Sequence, residues 1–96
     1  DVGVAFELGT LYLRRDGTGD LVLAQAQFET AVGLVPTYAN ARWFLSSIYE
    51  KQGNTVGAIE QVKKVLEYNP DNEIVKQRLQ QLQSGGGSTE RLETIE

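Results

Sequence analysis

Residues 39 to 72 form a 34-residue block holding two helical apolar patterns joined by the turn Gln52-Gly53-Asn54, and this block constrains the chain more than any other feature. In its first half Ala41, Leu45, Ile48 and Tyr49 recur at the spacing that places side chains on one face of a helix. In its second half Ala58, Ile59, Val62, Val65 and Leu66 do the same. Gly53 supplies the left-handed geometry that ends one helix, and Asn54 is a short polar residue able to start the next. Two helices joined by so short a turn lie antiparallel.

A pair of this size cannot bury its apolar face alone, so the chain should contain a copy of it. Phe28, Ala31 and Pro36 recur 34 positions later as Val62, Val65 and Pro70, and the same offset carries Ala24 to Ala58, Gly19 to Gly53 and Asp20 to Asn54. Upstream of Gly19 the offset becomes 37, linking Leu8, Gly9 and Tyr12 to Leu45, Ser46 and Tyr49. The first turn therefore holds three extra residues within Arg15-Asp16-Gly17-Thr18-Gly19, a composition suited to a solvated corner.

These residues resemble the tetratricopeptide repeat, whose pattern runs W-x2-L-G-x2-Y, A-x3-F, A and P over about 34 residues. The first copy carries Leu8, Gly9, Tyr12, Ala24, Phe28, Ala31 and Pro36; the second carries Leu45, Tyr49, Ala58 and Pro70. Ala5 and Arg42 stand where the family often has Trp, with the aromatics Phe6 and Trp43 one place later; Ser46, Val62 and Val65 replace Gly, Phe and Ala. The resemblance covers roughly residues 2–83. It implies an all-α solenoid of five helices in antiparallel pairs, stacked as a right-handed superhelix: units 2–38 and 39–72, then a capping helix over 71–83.

The apolar periodicity predicts helices over Val2 to Arg15, Leu21 to Leu34, Tyr38 to Gln52, Thr55 to Tyr68 and Asp71 to Gln83. The first should turn Ala5, Leu8, Gly9 and Tyr12 inward. Gly9 costs about 1 kcal/mol of helix propensity relative to Ala, offset where a partner helix comes close, and Phe28 reaching toward the small residues is the expected interlock. Asp20 and Thr37 are the expected N-caps of the second and third helices, and Pro70 takes a first-turn place in the fifth. That last helix has Val75, Leu79 and Leu82 on one side and Lys76, Gln80, Gln81 and Gln83 on the other, as a terminal cap should. Residues 84–88, Ser-Gly-Gly-Gly-Ser, read as a flexible linker and 89–96 as an acidic tail.

Composition narrows the chemistry. The 96 residues contain neither His nor Cys, which removes the usual general base, the commonest metal ligand and all thiol chemistry. Glu60 with Glu67, and Asp16 with Asp20, have no partner base or nucleophile beside them, and the Gly run follows a helix end instead of opening one. The expectation is a non-enzyme with no cofactor and no metal. At a net charge of −4, with its nine basic residues scattered, the chain lacks the clustered charge that nucleic acid demands; Lys63-Lys64 read as a solvated convex face. No apolar run approaches a membrane span and no signal peptide is visible, so a soluble domain is expected. A start at Asp1 without Met reads as a piece of something longer.

Function is then sought in a surface. The resemblance implies a concave groove lined by the first helix of each pair, mapping onto Phe6, Thr10 and Leu13 with Gly3 in the first copy, Asn40, Trp43, Ser47 and Glu50 in the second, and Ile74, Gln77 and Gln81 in the cap. Phe6 and Trp43 occupy the same place, off the inward stripe of their helices. An aromatic ring buries about 150–250 Å² when covered, a gross gain of roughly 4–6 kcal/mol, so two uncovered rings would mark a docking surface. The competing expectation is that Trp43 folds over the neighbouring helix, packs on Ile74 or Phe6, and closes the groove. Some members of the family grip C-terminal carboxylates with Lys, Arg and Asn; here the matching places hold Phe6, Thr10, Trp43, Ser47 and Gln77, so that clamp is absent.

The ligand expected is an apolar or amphipathic peptide or protein segment, with Asn40, Ser47 and Gln77 bonding its backbone. The alternative is a structural or self-association module at the end of a larger, membrane-anchored protein. Weak self-association could run through the groove or through residues 89–96, where Leu92 and Ile95 are spaced to dock on a neighbour.

Overall fold

The structure, a computed structural model, describes residues 1–85; the expected docking of Leu92 and Ile95 lies outside the described residues. Five helices follow one another: α1 (Val2–Arg15), α2 (Asp20–Leu34), α3 (Ala39–Lys51), α4 (Thr55–Tyr68) and α5 (Glu73–Gln83). α1 pairs with α2 and α3 with α4, while α2 against α3 and α4 against α5 join the units.

The first pair closes on the expected interlock. Ala5, Ala24, Phe28 and Ala31 are buried, and a Cβ added at Gly9 would stand 2.7 Å from the Phe28 ring. Only glycine lets the two helices approach so closely across that ring. The second pair solves the same contact with different volumes: Ser46 replaces Gly9 and Val62 replaces Phe28, both buried, and the Ser46 hydroxyl donates to the Trp43 carbonyl at 2.7 Å. A smaller partner on α4 leaves room for a Cβ on α3.

Ala41, Leu45 and Ile48 of α3 belong to one buried cluster with Ala24, Phe28 and Ala31 of α2. Val75 and Leu82 of α5 join Ala58, Val62 and Val65 of α4 in a second. Each leading helix after the first therefore presents its apolar stripe to the helix before it.

The helix starts correct several sequence expectations. Asp20 does not cap α2: Gly19, at φ 82°, holds the cap position. The Asp20 carboxylate instead turns back into the α1–α2 corner, accepting from Arg15 Nε and Nη2 at 2.7 Å each and from the Gly17 amide at 2.8 Å. A guanidinium fork is a stronger partner for a carboxylate than two helix amides, and the three inserted residues give the chain length to fold around it. The Arg15 hydrogen bond, then that of Gly17, hold the Asp20 pKa at about 2.

Thr37 likewise does not cap α3, where Tyr38 stands at the cap position without a side-chain bond. That corner is held from outside. The Pro36 carbonyl accepts from Arg42 Nε at 2.8 Å and from the Tyr68 hydroxyl at 3.2 Å, tying the α2–α3 joint to α3 and α4. α5 begins at Glu73, two residues later than expected, because Asn72 accepts from the Val75 amide and sets the start, leaving Pro70 in the preceding turn. Asp1 and Asn54 cap α1 and α4 through their side chains.

Candidate functional site: a recess at Trp43

The two rings that share a repeat position have different surroundings. Phe6 is half-buried and meets three other rings: Phe28 edge-on at 5.7 Å, Tyr38 stacked at 5.0 Å and Phe44 tilted at 5.8 Å. Phe44 in turn stacks on Phe28 at 5.2 Å. The expectation of an uncovered ring at Phe6 is therefore corrected, since Phe44 of α3 and its N-cap residue Tyr38 lie against it. Trp43 is also half-buried, but no aromatic ring packs on it among the described residues; the Arg78 guanidinium sits 5.1 Å from its centroid instead.

Beside Trp43 opens a recess of about 480 Å³ where three elements converge. The first turn of α3 contributes Asn40 and Trp43, the end of α4 contributes Val65 and Asn69, and the start of α5 contributes Asn72 and Ile74. No lining residue carries a charge. Ile74 is 67% exposed, a large aliphatic side chain held at the rim without a neighbour to cover it. Asn69 donates to the Val65 carbonyl and Asn72 accepts from the Val75 amide, so both amides are fixed by helix ends. The Asn40 side chain has no hydrogen-bond partner among the described residues. A volume of this order, with Trp43, Val65 and Ile74 set among uncharged polar groups, suits one large side chain and the backbone on either side of it.

Further along α3, Arg78 reaches across from α5. Its Nη2 donates to Ser47 Oγ at 2.7 Å and its Nη1 lies 3.7 Å from Glu50 Oε1, while Nε is buried without a partner. Glu50 and Arg78 thus neutralise one another on the side of Trp43 away from the recess lining. Of the groove residues expected from the sequence, Asn40, Trp43 and Ile74 come together at the recess, and Ser47 and Glu50 join them through Arg78. The others lie apart. Thr10 is tied to the Glu7 carbonyl at 2.9 Å, Leu13 packs against the first core cluster, and Gln77 and Gln81 are exposed on α5 beside the residues that contact the groove.

Arg78, Asn69 and Asn72 were not among the sequence candidates. A signal for two of them exists in the repeat: the 34-residue offset carries Tyr38 to Asn72 and Phe44 to Arg78. The positions that cover Phe6 with rings are thus filled, on α5 and its N-cap, by a guanidinium and an amide.

These helix pairs are matched by a family profile described as tetratricopeptide repeat over residues 17–82, about two thirds of the chain, and the protein belongs to that family. The match begins in the inserted α1–α2 corner and runs almost to the end of α5. No curated protein matches the chain as a relative. Tetratricopeptide repeats act in general as scaffolds for protein–protein interaction. Among the described residues no helix is long and apolar enough to cross a membrane.

Proposed function

We propose that this chain is a peptide-binding module whose ligand lies along α3 and places one apolar side chain in the recess between Trp43 and Ile74. The observation that carries the reading is the uncharged, Trp-walled recess at the junction of α3, α4 and α5. Covering Trp43 and Ile74 removes apolar surface from water, the non-directional part of the affinity. The Asn40 side chain and the free amide hydrogens of Asn72 give the directional part by bonding the ligand backbone. The ligand is an apolar or amphipathic segment without an acidic terminus at the recess, because no lining residue there is cationic. Ser47, Glu50 and Arg78 extend the surface toward a polar flank of the same ligand. The module recognises and does not transform its ligand.

Selection from a random peptide library displayed on phage tests this. Enriched peptides should share one large apolar residue, and Trp43→Ala and Ile74→Asp should each weaken binding by roughly thirtyfold or more with helicity unchanged. Enrichment of peptides that bind both variants as well as the parent would refute it.

A further inference from the structure

The three leading helices carry one apolar stripe in the same place, and only one of the three stripes is bare. Val4, Leu8 and Leu11 of α1 correspond at an offset of 37 to Ala41, Leu45 and Ile48 of α3, which are 0%, 2% and 1% exposed against α2. A further 34 residues on, the same positions are Val75, Leu79 and Leu82 of α5, packed against α4. On α1, by contrast, Val4 is 55% and Leu11 51% exposed, and Leu8, Leu11, Tyr12 and Arg15 border a shallow recess of about 360 Å³. The repeat has built a helix-packing face on α1 and the described residues put no helix on it.

We infer that α1 packs against α1 of a second copy of this chain, antiparallel, forming a two-fold symmetric dimer. Three observations select this occupant. First, the stripe 4, 8, 11, 15 has the alternating four-three spacing of a helix that seats against another helix, with the Arg15 head drawn aside to Asp20 so that its stem completes the row. Second, one edge of the stripe is closed by the domain itself, since Ala5 and Tyr12 turn toward α2, and the open edge carries Glu7 and Arg14, seven residues apart. Neither charge has an ion-pair partner among the described residues. In an antiparallel pair centred between Leu8 and Leu11, Glu7 of each copy faces Arg14 of the other; in a parallel pair the open edge would face a closed one and both charges would stay unpaired. Third, the opposite end of the molecule cannot serve as the socket. Apart from Ile74 at the Trp43 recess, the exposed positions of α5 are Glu73, Gln77, Gln80, Gln81 and Gln83, so head-to-tail growth has no apolar stripe to seat on and association closes at two.

The face is small against a standard protein interface, so the dimer is weak and concentration-dependent. Sedimentation equilibrium on the 96-residue chain tests it. The mean mass should rise from 10.6 kDa toward twice that value as concentration is raised to about 1 mM, the weak limit for so small an area. Leu11→Lys, at an exposed position that leaves the fold intact by circular dichroism, should hold the chain monomeric. Glu7→Arg and Arg14→Glu should each shift the equilibrium toward monomer, and the double exchange should restore the parent curve. A chain that stays monomeric to the top of the series overturns the inference and gives the α1 face to a helix of other origin. A dimer indifferent to Leu11→Lys, or a double exchange no better than the singles, overturns it too.

Discussion

Phe6 and Trp43 stand at the same place in consecutive repeats and meet different neighbours. The leading helix of the next pair, α3 with its N-cap, brings Tyr38 and Phe44 over Phe6; α5 with its N-cap brings Asn72 and Arg78 to the equivalent places beside Trp43. Both rings pack on a buried cluster, but one is covered by other rings and the other also walls a recess. An exposed-looking aromatic in a repeat is therefore defined by the leading helix that follows it: rings at Tyr38 and Phe44 close the place, while Asn72 and Arg78 leave it open.

The largest effect should come from the interlock that separates the two pairs. Phe28→Ala should cost about 3–5 kcal/mol in chemical denaturation, enough to unfold a chain this small. Gly9→Ser drives a Cβ into the Phe28 ring and should cost about 1–3 kcal/mol. Because Ser46 and Val62 coexist in the second pair, Gly9→Ser with Phe28→Val should lose less than the two single changes together; strict additivity would show that the pairs are not exchangeable solutions to one contact.

Next in size is the ring comparison itself. Trp43→Ala should weaken a library-selected peptide by about 2 kcal/mol or more, roughly thirtyfold in Kd, as for a buried aromatic anchor. Phe6→Ala should lower the thermal midpoint and leave the affinity of the folded fraction nearly unchanged. Arg78→Phe, which supplies the cap with the ring that Phe44 gives to Phe6, should fill the recess, shift the emission of the sole tryptophan to the blue and block the peptide.

The corner between α1 and α2 gives a pH signature. Asp20 holds its proton less tightly in the folded chain than in the unfolded one, with a pKa lowered from 3.8 to about 2. Its contribution is complete above the higher value and is lost as pH falls through the lower one. Asp20→Asn should flatten that part of the acid unfolding curve. The smallest effect lies at the other extreme. Burial, with the Glu29 carboxylate accepting from its hydroxyl at 2.7 Å, raises the Tyr49 pKa from 10.0 to about 12. Its stabilising effect is present below the lower value and lost as pH rises to the higher, and Tyr49→Phe should remove that alkaline slope.

The helices, their pairing and the Phe28–Gly9 contact were legible in the sequence because each depends on spacing along one chain segment. The caps at Asp20 and Thr37 were not. Both residues satisfy the local rule for an N-cap, but Arg15 and the Gly17 amide compete for Asp20, and the α2–α3 joint is fastened by Arg42 and Tyr68 from other helices. Asn40, Trp43 and Ile74, which line one recess, were singled out from the family pattern. The cover over Phe6 was not, since it depends on what stands at Tyr38 and Phe44, and those places are compared with Asn72 and Arg78 only when the cap is aligned as a third leading helix.

The most direct test of the Trp43 recess is a two-dimensional amide NMR titration of the labelled chain with a library-selected peptide. The expected result is a set of shifts confined to the indole of Trp43 and the amides of Asn40, Asn72, Ile74 and Val75, with those of Phe6 and Thr10 unmoved. Shifts centred on α1, or a Trp43 indole that stays in place while the peptide binds, would contradict it.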